Sequence, residues 1–231
     1  MKKDEKESGS VARKFGTFGG VFTPSVLTIL GVILFLRYDT VVGNAGLWGA
    51  LIVLLVAKGF TTITTFSLSS IATNMKVKGG GSYFLISRSL GVEFGGVIAV
   101  FFYIALALSV SMYVIGFTEA IFLAIPELKL SFRVVATLTN LVVFTFVYIG
   151  AGWTIRVQYF ILALVLTAIG SYCYGAWGHA SVEILSENLQ PKWTAGHSII
   201  TIFALFFPAV TGIEAGVNMS GDLKNPSRSI P

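Results

Sequence analysis

The chain has 231 residues; 55% are hydrophobic, only 12% are charged, and the formal net charge is +5 at pH 7. A soluble domain carries about 25% charged residues, so this composition excludes an ordinary soluble fold and marks an integral membrane protein. In that setting the basic excess reads as a topology signal beside membrane spans rather than as a nucleic-acid surface.

Residues 1–14, "MKKDEKESGSVARK", are polar and have no small-residue cleavage pattern after them, so they read as a disordered cytoplasmic tail rather than a signal peptide. Residues 15–231 read as a transmembrane domain, the N-terminal part of a longer transporter domain. A helical span needs about 20 mostly apolar residues. Six segments qualify, at about 18–37, 47–72, 94–125, 132–150, 157–177 and 198–219. The joins "PELKLS" and "GAGWTIR" are short, which makes their neighbours antiparallel. The stretch 73–93 is too polar to span. Within it, "SYFLISRSL" has an apolar face at helical spacing and is expected along the cytoplasmic interface, after a flexible "GGGS" turn. No Gly-Lys-Ser/Thr follows that turn, which argues against a phosphate cradle.

With the N-terminus inside, eleven Lys and Arg face the cytoplasm and four face outward, with Lys58 left inside a span. The expectation is a multi-pass protein of the cell membrane with both termini cytoplasmic. The "NMS" glycosylation pattern at Asn218 then falls on the wrong side and is discounted. Cys173 is the single cysteine, so no intrachain disulfide forms. His179 and His197 flank the outer loop 178–197 and do not make a metal-ligand set. No nucleophile–base arrangement is visible. The chain is read as no enzyme, with no cofactor and no metal beyond alkali cations. Its expected partners are the lipid bilayer and small inorganic ions, with a second copy in a homodimer as an option and nucleic acid excluded.

Two spans carry residues that weaken a helix. The first, "FTPSVLTILGVILFLR", has Pro24, Thr28 and Gly31; the sixth, "IITIFALFFPAVTGIEAGVNMSG", has Pro208, Thr211 and Gly212. An unpaired backbone group in hydrocarbon costs several kcal/mol, so a break is tolerated only where it faces protein or a water-filled cavity. One such helix reads as a packing kink, but two at matching positions point to the substrate site of an inverted-repeat transporter. The fold expected is therefore all-α: about six transmembrane helices, with helices 1 and 6 interrupted, forming the first five-helix repeat plus the first helix of the second. The half-helix that begins at a break offers amides to an anion, and the half that ends there offers carbonyls to a cation. Amides come from Gly31, Val32 and Ile33 and from Gly212, Ile213 and Glu214. Carbonyls come from Leu27, Thr28, Ile29 and Leu30 and from Pro208.

The stretches "GVILFLRYDTVVGNAG", "SSIATN", "KGGGSYFLISRSLGVEFGG", "MYVIGFTEA" and "FFPAVTGIEAGVNMSGDLKNPSRSIP" resemble the cation–chloride cotransporters, which have the amino acid–polyamine–organocation fold. The resemblance covers spans one, two, three and six and is slight over spans four and five. It implies electroneutral symport of chloride with potassium, sodium or both. It implies one chloride on Gly31, Val32 and Ile33 and a second on Gly212, Ile213 and Glu214. It implies potassium on Thr28, Ile29, Tyr113, Pro208 and Thr211, and a partial sodium site on Leu27 and Leu30. Where this chain has Thr28 the family often has Asn, a change that a carbonyl ligand survives.

Two residues depart from that pattern. Glu214 stands where the family usually has an apolar residue. It is either protonated, or the second anion site is lost, or it binds a cation or relays protons. Lys58 is an intramembrane charge, read as forming an ion pair with Glu119 or Glu214. An amino-acid permease of the same fold is the nearest alternative, with a substrate carboxylate on the same amides; "GVI" after the first break is bulkier than the small-residue cluster such permeases usually show. A non-transporting half-protein is a further alternative, and a membrane-embedded enzyme the most remote.

Overall fold

The computed structural model describes residues 14–194 and 196–231, so nearly all of the expected tail lies outside the described residues. Among the described residues, five helical runs are long and apolar enough to cross a membrane: Phe18–Asn74, Val92–Ala124, Phe132–Ile149, Gly152–Trp177 and Ile199–Asp222. The first contains both the first and the second expected spans. A straight helix of its 57 residues would measure about 85 Å at 1.5 Å per residue, nearly three times a hydrocarbon core of about 30 Å. It cannot run straight, and two non-helical points divide it.

The first division falls after α1 (Thr23–Ile29), which follows a π-helical turn at Phe18–Phe22. Pro24 sits in the first turn of α1, where its missing N–H is tolerated. The interruption comes later, at Leu30 (φ −78°, ψ 44°) and Gly31 (φ −95°, ψ −171°). The second division is Gly46 within α2 (Val32–Asn74), with φ 66° and ψ 173°. Residues 38–45, expected to be part of a connection, are helical up to this single residue. Glycine is required at 46 twice over: its φ lies in the left-handed region, and a Cβ would sit 2.7 Å from the Gln190 carbonyl carbon.

The glycine-rich turn leads into α3 (Gly81–Leu90), the helix expected from "SYFLISRSL". Its buried face, with Gly81, Ser82 and Leu85, is turned onto protein, where Leu85 packs with Ala72, Val77 and Val217. Then come α4 (Val92–Ala124), α5 (Phe132–Ile149) and α6 (Ala151–Trp177). The expected join "GAGWTIR" is absent as a loop: Gly150, at φ 109°, alone separates α5 from α6. The loop 178–197 holds a helix that the apolar pattern did not reveal, α7 (Val182–Leu189), capped by the Ser181 hydroxyl accepting from the Ile184 amide at 3.2 Å. Ser198 caps α8 (Ile199–Phe206) in the same way, through the Thr201 amide.

Helix six is interrupted as expected. After α8 the chain tightens into a 3₁₀ turn at Phe207–Val210, extends at Thr211 (φ −88°, ψ 176°), turns through Gly212 at φ 104°, and restarts as α9 (Glu214–Asn218). A 3₁₀ turn at Met219–Asp222 and α10 (Pro226–Ser229) follow. The main core lies between the two interrupted helices: Val41, Ala45, Val53 and Ala57 from both arms of α2 meet Ile202, Phe206, Ala209 and Val210. Apolar residues of α4 such as Phe101 are exposed, as suits a lipid-facing surface.

Candidate functional site

The two interruptions meet. A Cβ on Gly212 would collide with the Cγ2 methyl of Thr28, and that methyl is held in place because the Thr28 hydroxyl donates to the Pro24 carbonyl at 2.8 Å. The last turn of α1 therefore lies directly against the turn that restarts helix six.

Around that contact, one depression is lined by Thr28, Ile29, Gly31, Val32, Ile33, Leu34, Tyr113, Pro208 and Ala209. It gathers four of the five residues assigned to potassium and the three amide-bearing residues of the first chloride set. The fifth potassium residue, Thr211, adjoins it: its hydroxyl donates to the Pro208 carbonyl at 2.8 Å and its amide points to the same oxygen at 3.3 Å. The donated proton leaves the Thr211 oxygen lone pairs free to face a cation. The first amides of α2 have no helical acceptor, as at any helix start, and the last carbonyls of α1 have no helical donor. The depression thus presents opposite partial charges within a few residues of each other.

Leu27 and Leu30, the residues of the sodium set, lie in the last turn and cap of α1 and do not line the depression. Of the second chloride set, Gly212 touches Thr28, while Ile213 and Glu214 lie beyond it at the start of α9. Glu214 is half-buried and has no ion-pair partner among the described residues.

The expected network of Lys58, Glu119 and Glu214 does not form. Glu119 pairs instead with Arg37, at 3.4 Å between Nη2 and Oε2. Lys58 is exposed, one residue past the buried Ala57, because helical spacing turns it away from the face that packs on α8. By sequence Arg37 counts only among the four basic residues expected to face outward. The signal available was the intramembrane acid Glu119, which needs a cation at its own depth; Arg37, in the second turn of α2, supplies it. The pair stands in a cavity of about 410 Å³ between α2, α4 and α8 that is also lined by Val32, Ile33, Met112 and Gly116. Val32 and Ile33 line both the depression and this cavity, which therefore adjoin at the first turn of α2. Among the described residues no group of His, Cys, Asp or Glu could hold a metal ion.

The model of the amino acid permease family matches residues 20–231. Solute carrier family 12 member 2 of Danio rerio is 41% identical over 99% of this chain and 22% of its own length. The human member 2 is 40% identical over 94% of this chain and 20% of its own length. Solute carrier family 12 member 1 of Oryctolagus cuniculus is 37% identical over the whole of this chain and 22% of its own length. The chain spans about a fifth of the length of these relatives. With the family match extending from the first interrupted helix through the last residue, and with the all-helical transporter fold behind it, the chain belongs to the amino acid permease family and within it resembles the cation–chloride cotransporters.

Proposed function

We propose that this chain carries the ion sites of a secondary active transporter that moves chloride with potassium in electroneutral symport, with sodium as an optional third ion. The observation that supports this reading best is the convergence of Thr28, Ile29, Tyr113 and Pro208 with the opening residues of α2 around one depression. Potassium would rest on the carbonyls of Thr28, Ile29 and Pro208 and the hydroxyls of Tyr113 and Thr211. Chloride would rest on the amides of Gly31, Val32 and Ile33. A cation and an anion so close offset each other's desolvation, which favours loading them as a pair. A second chloride on Gly212, Ile213 and Glu214 requires Glu214 to be neutral. Sodium would draw on the carbonyls of Leu27 and Leu30. Both termini face the cytoplasm, so α3 and α10 lie on the inner side and the Arg37–Glu119 cavity on the outer.

Chloride-dependent rubidium uptake by the full-length protein in vesicles tests the assignment. Tyr113→Phe and Thr211→Ala each remove one hydroxyl ligand, and each should raise the half-saturating rubidium concentration about tenfold, since a hydrogen-bonding or coordinating group at a charged site contributes about 1.5–3 kcal/mol. Unchanged uptake in both variants removes the potassium site.

The family match favours one further reading, an amino-acid permease. A substrate carboxylate would occupy the Gly31–Ile33 amides and Glu214 would meet its ammonium. The side chains of Val32 and Ile33, which line the depression, leave less room there than small residues would. Uptake of labelled amino acids without chloride dependence would establish this reading in place of the first.

A further inference from the structure

At the outer end of the fold, the segment that leads into α8 is fastened to the bend of α2. Asn44 is 8% exposed and lies two residues before Gly46. Its Oδ1 accepts from the Thr194 amide at 3.1 Å and from the Thr194 hydroxyl at 2.6 Å. Its Nδ2 donates to the Thr40 carbonyl at 2.9 Å, and its backbone carbonyl accepts from the Lys192 amide at 3.0 Å. The Thr194 hydroxyl has one proton and gives it to an amide oxygen that can only accept. Its 3.0 Å contact with His197 Nδ1 therefore makes that nitrogen the donor. The close approach of Gly46 to the Gln190 backbone seats the two segments against each other.

Nothing in this cluster lines the candidate ion site. Asn44 lies thirteen residues past Gly31, about 20 Å along a helix. What it joins are the outer arms of the two interrupted helices, residues 32–45 and α8, which also share the core of Val41, Ala45, Ile202 and Phe206. The inner halves are joined by a separate set of bonds. The Phe15 amide donates to the Asp222 carbonyl at 2.8 Å, the Lys224 amide donates to the Phe15 carbonyl at 2.9 Å, and the Thr17 hydroxyl donates to Ser229 Oγ at 2.9 Å. The interruptions at Leu30–Gly31 and Thr211–Gly212 are the points where the outer and inner sets part.

We propose that Asn44 is a positioning residue: it makes the outer arms of helices one and six a single rigid body, so that movement at the two interruptions is shared rather than independent. This rests on the transport reading, because only a protein that opens and closes around its site has such movement to coordinate. Loosening the joint should slow the cycle without altering what the ions touch.

The test uses the full-length protein in vesicles, with rubidium chloride as substrate. In Asn44→Ala the Thr194 amide and hydroxyl both lose their acceptor; turnover should fall about tenfold for two bonds of ordinary strength, with half-saturating rubidium and chloride unchanged within twofold. Thr194→Val, which removes the hydroxyl but keeps the amide, should fall by a smaller factor, and Thr194→Ser should restore the wild-type rate. Hydrogen exchange on the unmodified protein supplies a readout free of any folding defect: the Lys192 and Thr194 amides should stay equally protected with and without potassium chloride. Loss of that protection when the ions are added, or wild-type turnover in both Asn44→Ala and Thr194→Val, overturns the proposal. A wild-type protein that takes up no rubidium at all sinks the transport reading instead, and the exchange pattern still decides whether the joint holds.

Discussion

The contact between the two interruptions yields the sharpest prediction. In Gly212→Ala the new Cβ must adopt φ 104° and meet the Thr28 methyl. A non-glycine residue in so sparsely populated a region costs about 1–3 kcal/mol, and forcing a methyl into an occupied space costs about 1–3 kcal/mol more. The midpoint of the sum is about 4 kcal/mol, close to a thousandfold loss of the correctly assembled site. The two parts separate. Thr28→Ser removes the offending methyl and keeps the hydroxyl that donates to Pro24, so it should recover the steric part, about 1–3 kcal/mol, and leave the dihedral part. The assay is a double-mutant cycle on chloride-dependent rubidium uptake, run beside thermal unfolding of the purified variants. Gly212→Ala within 0.5 kcal/mol of wild type, an order-of-magnitude threshold for a site without special features, would refute the argument. So would a double variant no better than Gly212→Ala alone.

The Arg37–Glu119 pair is 3.4 Å long and stands at the depth of the spans, so Arg37→Met or Glu119→Gln, each leaving one charge unpaired there, should lower thermal stability measurably, and the exchanged pair Arg37→Glu with Glu119→Arg should recover uptake lost in either single reversal. Glu214→Leu removes a carboxylate from the start of α9; chloride affinity should rise about tenfold, the scale of one charge acting over several ångströms in a partly polar medium, and unchanged affinity would end any special role for this residue. In the loop that follows α6, Lys192 donates to Glu187 at 2.6 Å, and this hydrogen bond, with the charge of the ammonium, holds the Glu187 carboxyl below the usual carboxylate range. A lowered carboxyl helps the folded loop above its unfolded-state value and loses that help as the pH falls through its folded-state value. Carbon NMR titration should find the Glu187 carboxyl moved up in Lys192→Gln, and an unmoved midpoint would show that the pair does not persist in solution.

By itself, the amino-acid pattern determined the class and most of the elements. Apolar length set the spans, because a bilayer requires about 20 such residues whatever they pack against. Pro208, Thr211 and Gly212 marked the sixth interruption, because backbone chemistry is local: Pro removes a donor and Gly admits a φ of 104°. The same reasoning placed the first interruption between the Leu27–Leu30 carbonyls and the Gly31 amide, where the helix parts, while Pro24 is absorbed in the first turn of α1. Turns made by a single glycine, at Gly46 and Gly150, left no polar run to read, and the short helix α7 announced itself only through the cap at Ser181.

Which side chains meet was decided only by the tertiary structure. By sequence the partner at hand for Glu119 was Lys58, but packing turned Lys58 outward from the α8 face and gave Glu119 Arg37. Thr28 and Gly212 stand 184 positions apart; the matching breaks pointed their segments to one site, but that the Thr28 methyl faces Gly212 came only from packing. The physical reason is one of range. Helix propensity, capping and membrane length act over a few residues, while the facing of one helix against another depends on crossing geometry and on the fit of whole surfaces.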